Sequence, residues 1–311
     1  YINTPPNSLP WGVVVAPLNA FGQADGTLVI YVDRGRHQIA YFGEVDSGSG
    51  SLIPVKGTIA GSNNGSGYED NANGLAAYFE YPRAVIPYIG TDCELCFLVA
   101  DGFDRVRQLV VTLNVVSFAA SVETRLGGAR PEGAGPFSTA YMKSPQHLVP
   151  IDENGALWLA TDAVNGTLNL INWGAQPEPE VLVVAGFPEG FETGDTSTLP
   201  AYTKKFTDAG QLVLVPPPDG SDADPVLYVA EAGDHLIRQV VMPDPTQFSQ
   251  WRVSPFAGEL RSAGYADGST ANARFNTPSG LAFDDENRVL YVAERGNHVV
   301  RAIDLDDPDG D

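Results

Sequence analysis

LYVAERGNHVVRAIDL, residues Leu290 to Leu305, is matched by LYVAEAGDHLIRQVVM, Leu227 to Met242. FLVADGFDRVRQLVV (Phe97 to Val111) is a third copy, and IYVDRGRHQIAYF (Ile30 to Phe42) a shorter fourth. ALWLATDAVNGTLNLINW (Ala156 to Trp173) is a degenerate fifth. A recurring segment of this kind specifies architecture more firmly than any single motif. A side chain that returns at the same repeat position is first a structural part.

Working outward, each copy is framed by two further signals. A small-residue signature closes a strand: TIAG (Thr58 to Gly61), RLGG (Arg125 to Gly128), VVAG (Val183 to Gly186) and PFAG (Pro255 to Gly258). A loop then leads into the next copy, and GYADGSTANARFNTPSGLAF (Gly264 to Phe283) reads like GYEDNANGLAAYFEYPRAVI (Gly67 to Ile86). Phe275 and Phe79 each precede a proline by three, Met142 precedes Pro145, and Phe206 keeps the place before Ala209. VLYVA (Val289 to Ala293) is β-branched, aromatic and almost continuously apolar, as a strand buried on both faces should be. RGNH and AGDH put Gly and Asn or Asp between two strands, so positive φ is expected on those residues. Pro278, Pro145 and Pro82 stand at strand starts, where a missing N–H costs little.

Such a unit makes a four-stranded antiparallel sheet with two apolar faces, which radial packing covers. The fold class expected is all-β, a β-propeller of five recognisable blades, or six if one is missing or supplied elsewhere. Residues 1-305 read as one propeller domain, with blades near 10-60, 61-127, 128-185, 186-257 and 258-305. Residues 306-311 read as an acidic tail or linker. The last copy stops at Leu305 without an outer strand, and the first lacks the entry loop of the others. Tyr1 in place of Met reads as a removed leader or a segment of something longer.

The PSGLA run (Pro278 to Ala282) followed by LYVAERGNHVVR (Leu290 to Arg301) resembles the NHL-repeat β-propeller family. The resemblance implies a propeller, usually six-bladed with shorter repeats, and leaves function open because one fold hosts many activities. It also brings to mind a zinc lyase that uses three channel histidines. Here His37, His235 and His298 share one repeat position after the hairpin turn, with Arg105 in the second copy. Zinc needs ligands about 2.0–2.1 Å away, which scattered turn residues do not provide. His147, in SPQHLV, is the exception, because it sits in a strand-entry position nearer a channel.

Composition narrows the partners. The 18 Lys and Arg against 39 Asp and Glu give a net charge of −21. That field repels phosphate backbones and anionic lipid surfaces, so neither nucleic-acid binding nor membrane insertion is expected. Other proteins, or copies of this chain, are the expected partners through the propeller loops. No cofactor is required by any motif. The acidic tail Asp307, Asp309 and Asp311 offers oxygens of the kind calcium takes, and His147 is the weak alternative metal ligand. Cys93 and Cys96 read as a local disulfide across a turn. Asn64 and Asn165 head N-x-S/T triplets, marking glycosylation positions in exposed turns. Together these place the chain outside the cell or at its surface, within a larger glycoprotein. No nucleophile elbow, HExxH or phosphate loop is present, so the balance leans against an enzyme. A metal-dependent propeller lyase or hydrolase is the alternative.

Overall fold

The structure is a computed structural model. It describes residues 10–18, 26–46, 50–62, 65–88, 95–102, 104–114, 117–126, 142–152, 154–174, 180–186, 199–200, 205–244 and 246–307. Its strands form five antiparallel sheets, the blades of an all-β propeller fold. The chain groups into two compact units, residues 1–145 and 146–311.

The first unit carries two blades. One is β1 (Pro10–Pro17), β2 (Gly26–Asp33), β3 (Gln38–Asp46) and β4 (Leu52–Ala60). The other is β5 (Ala84–Tyr88), β6 (Cys96–Asp101), β7 (Arg105–Asn114) and β8 (Ser117–Leu126). In each, strands pair in chain order. Leu28, Ile30, Ile39 and Ile59 of one blade share a core with Phe79, Phe97, Val99 and Leu109. Aliphatic strands with two apolar faces bury both by stacking, which is why one sheet alone is not stable.

The second unit carries three. The third blade is β9 (Pro145–Pro150), β10 (Leu157–Asp162), β11 (Thr167–Asn172) and β12 (Glu180–Ala185). The fourth adds a two-residue strand, β13 (Leu199–Pro200), outside β14 (Ala209–Val215), β15 (Val226–Glu231), β16 (Leu236–Val241) and β17 (Arg252–Ala257). The fifth has three strands: β18 (Pro278–Asp284), β19 (Val289–Glu294) and β20 (Val299–Asp304).

The residues picked out by spacing have a common task. Phe79, Met142, Phe206 and Phe275 are all buried. They plug the core where the entry loop meets the first strand. The third and fourth strands of four blades share an irregular register at one place: Ile39/Ala40, Val106/Arg107, Leu168/Asn169 and Ile237/Arg238. A bulge repeated in that way bends each outer strand alike.

Two expectations need correction. Positive φ falls on the histidines, with His37 at 58°, His235 at 60° and His298 at 58°, and not on the preceding Gly and Asn or Asp. Each tight turn spends its first residues in ordinary conformations and closes on one left-handed residue. VLYVA of β19 is also not buried on both faces, since Tyr291 is 40 % exposed. The equivalent Tyr228 of β15 packs on Phe256 with ring centroids 4.7 Å apart, and β19 has no such neighbour described.

The signature glycines are needed for their backbone. Gly186 has φ +80°, and a Cβ there would stand 2.2 Å from the Gly166 carbonyl oxygen. Gly186→Ala is expected to cost about 2–3 kcal/mol, strain and overlap together, read as a lowered urea midpoint with unchanged slope.

Candidate functional site

Charged side chains recur in the blades, and the structure shows what the recurrence serves. Asp101, at the end of β6, accepts the Glu80 backbone N–H at 2.8 Å and the Arg107 guanidinium at 3.0 Å. Glu231 accepts the Thr207 N–H at 2.7 Å and pairs with Arg238; Glu294 accepts the Asn276 N–H at 2.7 Å and pairs with Arg301 at 3.2 Å. In every case the carboxylate ties down the residue after the aromatic plug. Burial pushes the Asp101 and Glu231 carboxyls up to about 7, against the pull of their arginines. These are bolts of the fold, and they occupy no open site.

The histidines are bolts as well. His37 Nδ1 accepts the Tyr81 backbone N–H at 3.1 Å, and His235 Nδ1 accepts that of Thr277 at 3.1 Å. Each joins one blade to the entry of the next. The receiving residues, Tyr81 and Thr277, are themselves left-handed, at φ 54° and 55°. An Nδ1 used in this way is not available to a metal. Among the described residues no group of three His, Cys, Asp or Glu is placed to hold a metal ion. The metal chemistry that the resemblance implies therefore has no fitting ligand set among the described residues. Asp307 is exposed, and Asp309 and Asp311 lie outside the described residues.

His147 differs from the turn histidines. It lies on β9, half-buried, with Nδ1 buried and without a hydrogen-bond partner among the described residues. Desolvation lowers its pKa to about 4, so the ring is neutral at pH 7.

Sequence reasoning missed one cluster altogether. Arg34, in the β2–β3 turn, lies over the rings of Trp11 and Tyr81, with Cζ 4.7 Å and 5.6 Å from their centroids. Trp11 comes from β1 and Tyr81 from the entry to β5. Both rings are partly exposed, at 39 % and 41 %. His37 stands against Tyr81, ring centroids 4.9 Å apart. Because its Nδ1 is an acceptor, the neutral His37 ring carries its proton on Nε2. Desolvation lowers the His37 pKa, partly offset by Glu80. Arg36, Arg107, Arg238 and Arg301 each have a carboxylate partner. Arg34 has none among the described residues, only the two rings. A guanidinium in cation–π contact keeps its N–H donors for a carboxylate. The sequence signal was slight: Arg34 matches Arg295 in the repeat, and nothing in one chain announces which arginine lacks a partner.

The remaining expected positions can be placed. Asn165 lies in the β10–β11 turn, where its Nδ2 donates to Asp162 at 2.9 Å. Asn64 lies outside the described residues. So does Cys93, and the local disulfide expected between Cys93 and Cys96 therefore falls outside the described residues. Cys96 is buried at the start of β6, its Sγ 3.9 Å from Gln108 Nε2.

No family model matches the chain. NHL repeat-containing protein 2 of Gallus gallus is 31% identical over 81 residues, covering 26% of this chain and 10% of that protein. Its counterpart in Homo sapiens is 34% identical over 80 residues, covering 26% and 10%. The similarity thus spans about a tenth of the length of these curated relatives. Among solved structures, an auxiliary nutrient binding protein from Bacteroides ovatus is similar at TM-score 0.57 and 13% identity, over 94% of this chain and 68% of that one. A periplasmic gluconolactonase of Pseudomonas aeruginosa has TM-score 0.45 and 17% identity, over 92% and 64%. The expectation that leaned against an enzyme is withdrawn, because a propeller fold is compatible with catalysis. No helix of the described residues is long and apolar enough to cross a membrane. The chain is an all-β propeller with weak, partial similarity to NHL-repeat proteins.

Proposed function

We propose that the chain is a propeller hydrolase or lyase that takes a small substrate bearing a carboxylate, bound at Arg34. One observation carries the reading. In a chain of net charge −21, a half-buried guanidinium is fixed over Trp11 and Tyr81 and has no carboxylate of its own among the described residues. An aromatic platform with a convergent cation suits a sugar acid or similar polar ring, the rings packing on its C–H face and the fork on its carboxylate. The reaction class rests on His37. Held neutral with its proton on Nε2, it can donate to an ester or lactone oxygen as charge develops there, a role neutral imidazole fills well. The extracellular location belongs to the same proposal, since acidic glycans and their lactones are met there.

Trp11 supplies its own reporter. Titration with D-glucuronate or D-gluconate is expected to change tryptophan fluorescence saturably, while glucose does not. Arg34→Gln is expected to weaken that binding at least about tenfold, a charged hydrogen-bonded pair being worth roughly 1.5–3 kcal/mol. Hydrolysis of D-glucono-1,5-lactone in a pH-stat reads the catalytic half, and should fall with the same substitution. Equal response to glucose and to its acids, or an Arg34→Gln protein that binds and turns over normally, rejects the reading.

A further inference from the structure

The segment that enters the second blade, Glu80, Tyr81, Pro82 and Arg83, is fastened in two different ways. Asp101 accepts the Glu80 N–H at 2.8 Å, and the Ala100 carbonyl accepts that of Arg83 at 2.9 Å. Both ends are thus tied to β6, within the same blade. The Tyr81 N–H between them is tied to the preceding blade, at His37 Nδ1, 3.1 Å away. Tyr81 needs that tie. Its φ of 54° is left-handed, which is costly for a residue with a Cβ. It also precedes Pro82, and a proline ring favours extended backbone at the residue before it.

The ring that Tyr81 carries is one of the two faces on which Arg34 rests. The other face, Trp11, is held independently. Its neighbour Gly12 lies so near the entry segment that a Cβ there would stand 2.8 Å from the Arg83 carbonyl oxygen and 2.9 Å from Ala84 Cα. β1 is therefore seated on the part of the segment that β6 holds. His37, for its part, is half-buried and its bond to Tyr81 lies at the surface. A proton can reach the ring, and water can take its place on the Tyr81 N–H. An imidazolium carries hydrogen on both nitrogens and accepts at neither.

We propose that His37 is an acid-released latch: protonation of Nδ1 frees the Tyr81 N–H, Tyr81 relaxes to extended backbone, and its ring leaves Arg34 while Trp11 stays. The surrounding groups decide when. Desolvation, the largest influence, opposes the proton together with Arg34 in the same turn, while Glu80 on the entry segment and Asp33 at the end of β2 favour it. Arg36 of that turn lies 3.9 Å from Asp33. The net direction is downward, so the latch is closed above the ordinary histidine value and opens as pH falls through the lowered one. His235 makes the same bond to Thr277, at φ 55°, but threonine carries no ring and its release uncovers no cation. The consequence for a ligand rests on the reading of Arg34 as a carboxylate site. Withdrawal of one aromatic face weakens the site in acid, against the added charge of His37, which alone would strengthen it.

The test labels the full chain with 15N-tyrosine, identifies the Tyr81 amide by its loss in Tyr81→Phe, and follows it from about pH 8 to about pH 4. One transition is expected, absent in His37→Asn and kept in His235→Asn. Asparagine retains an acceptor and tolerates left-handed backbone, yet does not titrate. A transition that persists in His37→Asn belongs to Glu80 or to Asp101, whose carboxyl is pushed up to about 7, and overturns the latch. So does a Tyr81 signal that never moves. Histidine ring labelling of the parent protein gives a reading free of any substitution at His37. The ring must titrate at the midpoint of the Tyr81 amide, and separate midpoints reject the coupling. D-Gluconate titrated by tryptophan fluorescence reads the consequence. Its affinity should fall about threefold across the transition in the parent and not in His37→Asn. A moving Tyr81 with unchanged or tighter D-gluconate binding upholds the latch and rejects the carboxylate site.

Discussion

Arg238→Met is expected to destabilise the second unit by about 3–5 kcal/mol, the cost of leaving a buried ionised partner uncompensated. The side chain is 1 % exposed, and its two partners, Glu231 and Asp234, are 0 % and 2 % exposed. Glu231 also holds the entry to β14 through Thr207, and Asp234 receives Arg261 at 3.3 Å. Removing the guanidinium therefore leaves Glu231 without a basic partner and Asp234 with Arg261 alone, and it loosens the loop that carries Phe206. Urea unfolding followed through the buried Trp251 reads the loss. Pairing the substitution with Glu231→Leu should recover much of it, because the uncompensated charge, more than the missing contact, is the cost. Arg301→Met should cost less, since its own side chain is 11 % exposed, one partner, Asp267, is open to water, and the buried partner Glu294 keeps hydrogen bonds from Asn276 and Asn297. Equal losses at Arg238 and Arg301 would remove burial as the explanation.

The second large effect is acid sensitivity at His147. The folded-state pKa is lowered to about 4 from the ordinary 6.5, chiefly by desolvation. A base whose pKa falls on folding binds its proton better when unfolded. Its contribution is complete above pH 6.5 and is lost as pH falls through 4. That shift corresponds to about 3 kcal/mol at most. Asp101 and Glu231 act with the opposite sign. Burial raises both to about 7, so their contribution is full below their ordinary values and lost as pH rises through 7. A bare pH profile mixes the three groups. The stability difference between the parent and His147→Gln isolates one, and it should shrink by about 3 kcal/mol between pH 7 and pH 4. A difference that stays constant over that range would show that His147 titrates alike in both states.

The blades were readable because their information is local. A strand announces itself through β-branched and aromatic runs, a turn through Gly and Asn, and the repeat multiplies both signals. The plug spacing of Phe79, Phe206 and Phe275 was visible for the same reason. His37, His235 and His298 were rightly placed in the turns from their shared position, though the residue taking the left-handed conformation was misjudged. The left-handed His37 and His235 each accept a hydrogen bond from the following blade, a contact about forty residues away in the chain.

The Arg34 cluster and the three-stranded fifth blade differ in this respect. The short final repeat pointed to a fifth blade of three strands among the described residues, since a signature of four copies beside a motif of five is a matter of counting. The Asp267–Arg301 pair came from packing. Arg34 left only its match to Arg295 in the sequence, because an arginine acquires meaning from what does or does not lie beside it. Trp11, Arg34 and Tyr81 meet only after two blades stack. What the sequence determined by itself was the unit, its strands and turns, and its number, because hydrophobic periodicity and backbone preference act between near neighbours. Which charges are paired, which rings flank a cation and which histidine holds the next blade were decided by tertiary structure alone, since pairing, desolvation and exposure are properties of distance in space.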